Sequence, residues 1–155
     1  MVNTNNIHGG NVHKASRVLH TSLDQILDFS ANINPLGMST KGMDAVKDAL
    51  RDVIHYPDPD MTHLFSITSE LWDMPKECIV LGNGAVEIID NFCSMFKRVV
   101  LCTPCFSEYG LRALVHKKTV LEIPYLPDFS PDISALKKNL KADDLLILGN
   151  PNNPT

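Results

Sequence analysis

The sequence is short of the features that would direct it to a nucleic acid, a membrane or an extracellular scaffold. Its 155 residues hold 14 Lys and Arg against 18 Asp and Glu, a net charge of −4. No basic excess is available to neutralise a phosphate chain or an anionic lipid surface. No run of about 18 apolar residues could span a bilayer. The polar opening Met1-Val2-Asn3-Thr4-Asn5-Asn6 lacks the charged-then-apolar layout of a signal peptide. Neither a nucleic-acid nor a membrane partner is expected, and a cytoplasmic protein acting on small molecules is. Cysteine is scarce, with four residues, Cys78, Cys93, Cys102 and Cys105, which in such a chain do not suggest a disulfide framework. Cys102-Thr103-Pro104-Cys105 has the spacing of a redox dithiol or half a zinc site. No second pair or histidine cluster completes a tetrahedral set, so no metal is expected. Cys78 and Cys93 fall in apolar runs and read as core residues.

The chain is 44% hydrophobic, enough for one ordinary domain with a core or for part of a larger one. Its most informative stretch is Ile79-Val80-Leu81-Gly82-Asn83-Gly84-Ala85-Val86-Glu87-Ile88-Ile89. An apolar run enters a glycine turn, and Val86, Ile89, Phe92, Cys93 and Phe96 follow at helical spacing, so a helix start with free backbone N–H groups faces the turn. Such a corner either holds an anion or only reverses the chain. From Glu77 onward strands and helices alternate: strands are expected over 78–81, 99–102, 120–123 and 145–148, with helices over 85–96, 108–115 and 132–140. That order gives right-handed crossovers and a parallel sheet. The unbroken apolar run Leu145-Leu146-Ile147-Leu148 reads as a strand covered on both faces.

Ligands of such sheets bind beyond the carboxyl ends of the strands. Those ends carry Gly82-Asn83-Gly84-Ala85, then Thr103-Pro104-Cys105-Phe106-Ser107-Glu108-Tyr109, and last Gly149-Asn150-Pro151-Asn152-Asn153-Pro154-Thr155. An anion-binding turn, an aromatic plate and an amide cluster could share one cleft, and a planar phosphorylated ligand would use all three. Towards the N-terminus, His8-Gly9-Gly10-Asn11 precedes a helical pattern over 12–19, with Asn11 as a possible cap. Residues 26–37 begin strand-like and end in a turn at Asn34-Pro35-Leu36-Gly37. Thr40 is a plausible cap for an amphipathic helix marked by Met43, Val46, Leu50 and Val53. His55-Tyr56-Pro57-Asp58-Pro59-Asp60 breaks regular structure, and a helical pattern resumes from Met61 to Trp72. The expected division is an N-terminal arm with a small-domain and interface segment over 1–58, then the first half of a larger domain over 59–155.

Three of these motifs resemble one family in order and position. Asn150-Pro151-Asn152-Asn153-Pro154-Thr155 resembles the Asn-Pro-x-Asn-Pro-Thr-Gly motif of fold-type I enzymes that use pyridoxal 5′-phosphate. Gly84-Ala85-Val86-Glu87 resembles their phosphate turn, and Pro104-Cys105-Phe106 their ring-stacking loop. Within that fold, His8-Gly9-Gly10-Asn11, the segment 28–37, Tyr56-Pro57-Asp58-Pro59-Asp60 and Phe106-Ser107-Glu108-Tyr109 look most like the threonine-phosphate decarboxylases of cobalamin biosynthesis. Histidinol-phosphate aminotransferases are the neighbouring group. The fold so implied is α/β, the N-terminal part of an aminotransferase-like fold with a mostly parallel sheet and flanking helices.

The resemblance also implies roles. The amides of Ala85 and Val86 would hold the cofactor phosphate, Phe106 would stack on the pyridine ring and Asn153 would hydrogen-bond its 3-oxygen. Tyr56 would reach across a homodimer interface to the partner's cofactor. His8, Gly9 and Asn32 would contact a phosphorylated amino acid, with Asn153 touching it too. Two residues depart from the family pattern: Val86 stands where a polar residue is common, and Cys105 where threonine is. The Schiff-base lysine, the aspartate paired with the pyridine nitrogen and the arginine that grips the substrate carboxylate would all follow Thr155. No catalytic residue is therefore expected within these 155, and this segment alone is expected to be inactive and, with an apolar sheet edge near 145–148, to need association for stability. The reaction implied is decarboxylation of O-phospho-L-threonine to (R)-1-amino-2-propanol O-2-phosphate, with histidinol-phosphate transamination or a non-catalytic fragment as the alternatives.

Overall fold

The computed structural model describes residues 9–155. They fall into two compact units, one ending at Ile67 and the other beginning at Thr68. In the first, α1 (Val12–Leu19) starts at Asn11, whose side chain accepts from the Lys14 N–H at 2.9 Å. Helix α2 (Thr40–Ala49) is capped by Ser39, which accepts from the Gly42 N–H. Thr40, expected as the cap, is the first helical residue instead, because Ser39 supplies the extended backbone and the oxygen that a cap needs. A 3-10 turn over Leu50–Ile54 ends this element. The segment 26–29, expected to begin as a strand, forms none, since an isolated extended segment has no ladder to join. Helix α3 (Thr62–Trp72) follows the turn at 55–60 and contains the boundary between the two units, at Ile67 and Thr68.

The second unit is a three-layer α/β arrangement. Helix α4 (Ala85–Met95) leads through a short connection to β1 (Arg98–Thr103), then come α5 (Ser107–Val115), β2 (Thr119–Pro124), α6 (Ile133–Asn139) and β3 (Asp144–Ile147). The strands are parallel in the order β2-β1-β3, with Val100 opposite Leu121 and Leu146. Because successive residues point to opposite faces, β1 feeds two cores. Val99 and Leu101 pack with Cys93 of α4 and Ala113 of α5. Val100 and Cys102 pack with Ile123 and with Leu136 of α6.

Two ionic arrangements fix these layers. Arg98 at the start of β1 grips Asp144 at the start of β3 with bonds of 2.8 and 2.5 Å, and also donates to the Asn139 carbonyl. The Arg98 hydrogen bonds hold the Asp144 carboxyl down to about 2, assisted by the Lys141 N–H. On the other face, Arg112 of α5 meets the buried Glu108 at 3.1 Å and Asp90 of α4 at 3.8 Å. His116 approaches Asp90 at 3.0 Å, so α4 and α5 are tied by charge as well as by packing.

Two expectations fail at one place. Residues 78–81 form no strand: Lys76–Cys78 is a 3-10 turn, Ile79 is extended, and residues 79–81 are unpaired. Extended backbone becomes a strand only when a neighbour accepts its hydrogen bonds, and among the described residues this segment has none. Cys78, read as core, is exposed for the same reason, while Cys93 is fully buried. Strand β3 is covered on both faces, with Leu145 and Ile147 against one core cluster and Leu146 against the other, and it is half-buried rather than fully buried because it is an edge of the described sheet.

Candidate functional site

Chain connectivity brings the chemistry to one end of the sheet. Helix α4 runs back into the amino end of β1, so its own N-terminus returns to the carboxyl end of that strand, where α5 also begins. At about 1.5 Å per helical residue and 3.3 Å per strand residue, the 11 residues of α4 and the six of β1 span comparable lengths. Ile89 of α4 packs on the same core cluster as Cys105 and Tyr109 beside the α5 start.

The start of α4 has no side-chain cap. Helices α1, α2 and α6 are each capped by a side chain that accepts a backbone N–H, from Asn11, Ser39 and Asp132. Gly84 occupies the cap of α4 and has no side chain to offer. The first N–H groups of a helix have no intrahelical acceptor, so those of Ala85 and Val86 face outward together with the positive end of the helix dipole. Gly84 lies at φ 83°, ψ 169°, and a Cβ there would meet nothing within 4 Å. Its glycine is required by backbone conformation, and the space beside it is open. Glu87 folds back to accept the Asn83 N–H, which holds the turn from within. Ala85 and Val86 are exposed.

The aromatic plate and the amide cluster lie on the next two loops. Phe106 precedes α5, half-buried, with its ring edge-to-face against Tyr109 at 5.6 Å and 89°. The loop after β3 is tied to the loop after β1 by Asn152, whose Nδ2 donates to the Pro104 carbonyl at 3.0 Å and to Thr155 Oγ1 at 2.6 Å. Asn153, the next residue, is exposed. A cleft of about 160 Å³ opens beside Phe106, with Thr103, Cys105, Ser107 and Glu122 in its walls. Pockets that bury a small molecule hold roughly 300–1,000 Å³, so this cleft is too small to enclose one. Open N–H groups at a glycine-opened helix start, an aromatic face and an exposed amide are the donors and surfaces that a phosphorylated aromatic ring requires. In that sense the residues present fit pyridoxal phosphate.

The Cys-x-x-Cys spacing does not make a dithiol. Cys102 packs in the core on the α6 side of the sheet, whereas Cys105 packs against the cluster beneath α4 and α5. Burial, followed by the Glu122 charge, pushes the Cys105 thiol up to about 11, and burial raises Cys102 as well. Both stay protonated near neutrality, the opposite of the lowered thiol of a redox pair.

In the other unit the structure joins two motifs that the sequence keeps 20 residues apart. The Gly10 N–H donates to Ser30 Oγ at 2.8 Å. Asp28 Oδ1 in turn accepts from the Ser30 hydroxyl at 2.6 Å and from its N–H at 2.8 Å. These bonds, the hydroxyl's first, hold the Asp28 carboxyl below its ordinary range. A Cβ on Gly9 would lie 1.6 Å from the Ser30 carbonyl oxygen, so only glycine fits. Asn32 is exposed, while Asn34 closes its own turn through the Gly37 carbonyl and the Leu36 N–H. Tyr56 is 93% exposed. His8 lies outside the described residues. The role of Asn152 was not legible in sequence, where it fills the unspecified position of the motif.

A glycine-opened helix start, an aromatic loop and an amide loop lie at the carboxyl ends of the parallel strands. Comparison with known proteins gives the class. The pattern of the family "Aminotransferase class I and II" matches residues 24–155, and the chain belongs to that family. The threonine-phosphate decarboxylase of Salmonella typhimurium is 40% identical over 97% of this chain and 43% of its own length. The histidinol-phosphate aminotransferase of Clostridium acetobutylicum superposes with a TM-score of 0.78 and 31% identity, over 84% of this chain and 39% of that one. The histidinol-phosphate aminotransferase of Sinorhizobium meliloti, solved in complex with pyridoxal-5′-phosphate, shares the fold with a TM-score of 0.71 at 20% identity, over 81% of this chain and 35% of that one. Family membership implies pyridoxal phosphate as the cofactor. The chain thus spans less than half the length of these relatives. Among the described residues, no helix is long and apolar enough to cross a membrane.

Proposed function

We propose that the protein at its natural length is a threonine-phosphate decarboxylase of cobalamin biosynthesis, which removes carbon dioxide from O-phospho-L-threonine to give (R)-1-amino-2-propanol O-2-phosphate. The observation that carries this reading is the 40% identity to the Salmonella enzyme across 97% of the chain, which includes the residues 9–30 hook. Bound pyridoxal phosphate supplies an electron-accepting ring for the bond broken at Cα. In this reading the Ala85 and Val86 N–H groups hold its phosphate, and Val86 contributes only its backbone. Phe106 covers one face of the ring and shields it from water, and Asn153 donates to the 3-oxygen. His8, Gly9 and Asn32 contact the substrate. We place the enzyme in the cytoplasm as a homodimer, with segment 1–58 as arm and interface and Tyr56 reaching the partner's cofactor. The large exposure of Tyr56 supports that assignment.

Histidinol-phosphate aminotransferase is the second reading, favoured by the fit to the Clostridium structure. Both substrates carry an amine and a phosphate, so the groups near the cofactor serve either. The deciding measurement is made on the protein at its natural length. Release of carbon dioxide from O-phospho-L-threonine supports the decarboxylase, while 2-oxoglutarate-dependent turnover of histidinol phosphate without that release would defeat it.

A further inference from the structure

We propose that Asn152 is a positioning residue: its carboxamide clasps the loop after β3 to the loop after β1, and so sets Asn153 against Phe106. The proposal rests on the cofactor-binding reading above and assigns work to a residue that touches no cofactor in it. Strands β1 and β3 are in register from Arg98 opposite Asp144 to Leu101 opposite Ile147. Beyond Ile147 the ladder no longer fixes the two chains, yet the residues that would hold the ring, Phe106 and Asn153, both come later. The Asn152 Nδ2 bond to the Pro104 carbonyl, at 3.0 Å, crosses that gap between residues 48 apart in sequence. Pro104 stands two residues before Phe106, and Asn152 one before Asn153.

The Pro104 carbonyl assigns the orientation of the amide. Turning it over would place Oδ1 against the Pro104 carbonyl oxygen, two acceptors facing each other, whereas Nδ2 satisfies both Pro104 and Thr155 Oγ1. Oδ1 is buried with no hydrogen-bond partner among the described residues. It lies where a side chain at residue 149 would project, since a Cβ on Gly149 would come within 3.2 Å of Oδ1 and 3.3 Å of the Asn152 Cα. Gly149 thus leaves room for the clasp.

The test uses N152L, which keeps the branched shape and the number of side-chain heavy atoms and removes the donor, and N152A, each in the protein at its natural length. Pyridoxal phosphate affinity is read by absorbance titration, alongside the pH midpoint of the bound cofactor's visible absorbance and the melting curve. N153A is the reference, because loss of a donor to the 3-oxygen alters the charge balance on the ring and moves that midpoint. We expect N152L to weaken cofactor binding about 3- to 10-fold, the loss of one hydrogen bond, and to move the midpoint in the same direction as N153A. A lower melting temperature with an unmoved midpoint would overturn the proposal. So would failure of both variants to fold, because one loop-to-loop bond does not decide folding. If the unmodified protein takes up no pyridoxal phosphate, or N153A moves neither readout, the cofactor reading itself fails and this inference falls with it.

Discussion

Replacing Gly84 with alanine separates backbone strain from steric clash at the most informative turn of the chain. Gly84 sits at φ 83°, ψ 169°, a region populated almost solely by glycine, where an L-residue costs about 1–3 kcal/mol. A Cβ there would meet no atom within 4 Å, so no clash adds to that figure. Relief would require the α4 start to rotate, which displaces the Ala85 and Val86 N–H groups. G84A should therefore lose about 1–3 kcal/mol in denaturant unfolding and bind pyridoxal phosphate more weakly. G84N provides the control. Asparagine tolerates the left-handed helical region, but ψ 169° lies outside it, so G84N should behave like alanine. Gly82 offers a contrast, since its Cβ would press to 2.8 Å from Ile88 Cγ1, a clash with a side chain that can move. Stability of G84A within about 0.5 kcal/mol of the parent, the usual scatter of neutral surface changes, would refute the conformational account. So would recovery by G84N.

Two further outcomes are expected. The Asp144 carboxyl, held at about 2 by Arg98, lies below its unfolded value of about 3.9, so its contribution is present above about pH 4 and is lost as pH falls through about 2. D144N should be less stable than the parent at neutral pH, and the difference should shrink in acid unfolding curves between about pH 4 and pH 2. A difference that does not depend on pH would contradict the ionic origin. In the other unit, G9A must displace the Ser30 carbonyl from 1.6 Å, which should open the Gly10–Ser30 bond. Faster hydrogen exchange at the Gly10 amide checks this, and unchanged exchange would mean that the hook tolerates a side chain.

The sequence by itself determined the alternating helices and strands from Ala85 onward, because each apolar run was bounded by glycine, proline or a capping residue and needed no distant partner to declare its period. It also carried the glycine turn, the aromatic loop and the amide motif, whose residue types are set by local backbone and chemistry. The family pattern, which matches residues 24–155, spans that portion. Tertiary structure decided whatever depends on a neighbour. Residues 78–81 have the composition of a strand but no paired strand among the described residues, so Cys78 ends a 3-10 turn and stays exposed and the residues after it form no ladder. Cys102 and Cys105 share a familiar spacing, yet strand alternation and the loop that follows send them to opposite faces of the sheet. The Arg98–Asp144 pair, the Gly10–Ser30 hook and the Asn152 clasp join residues 20 to 48 positions apart. No local periodicity encodes such contacts, and only the parallel register and the returning loops bring their donors and acceptors within reach.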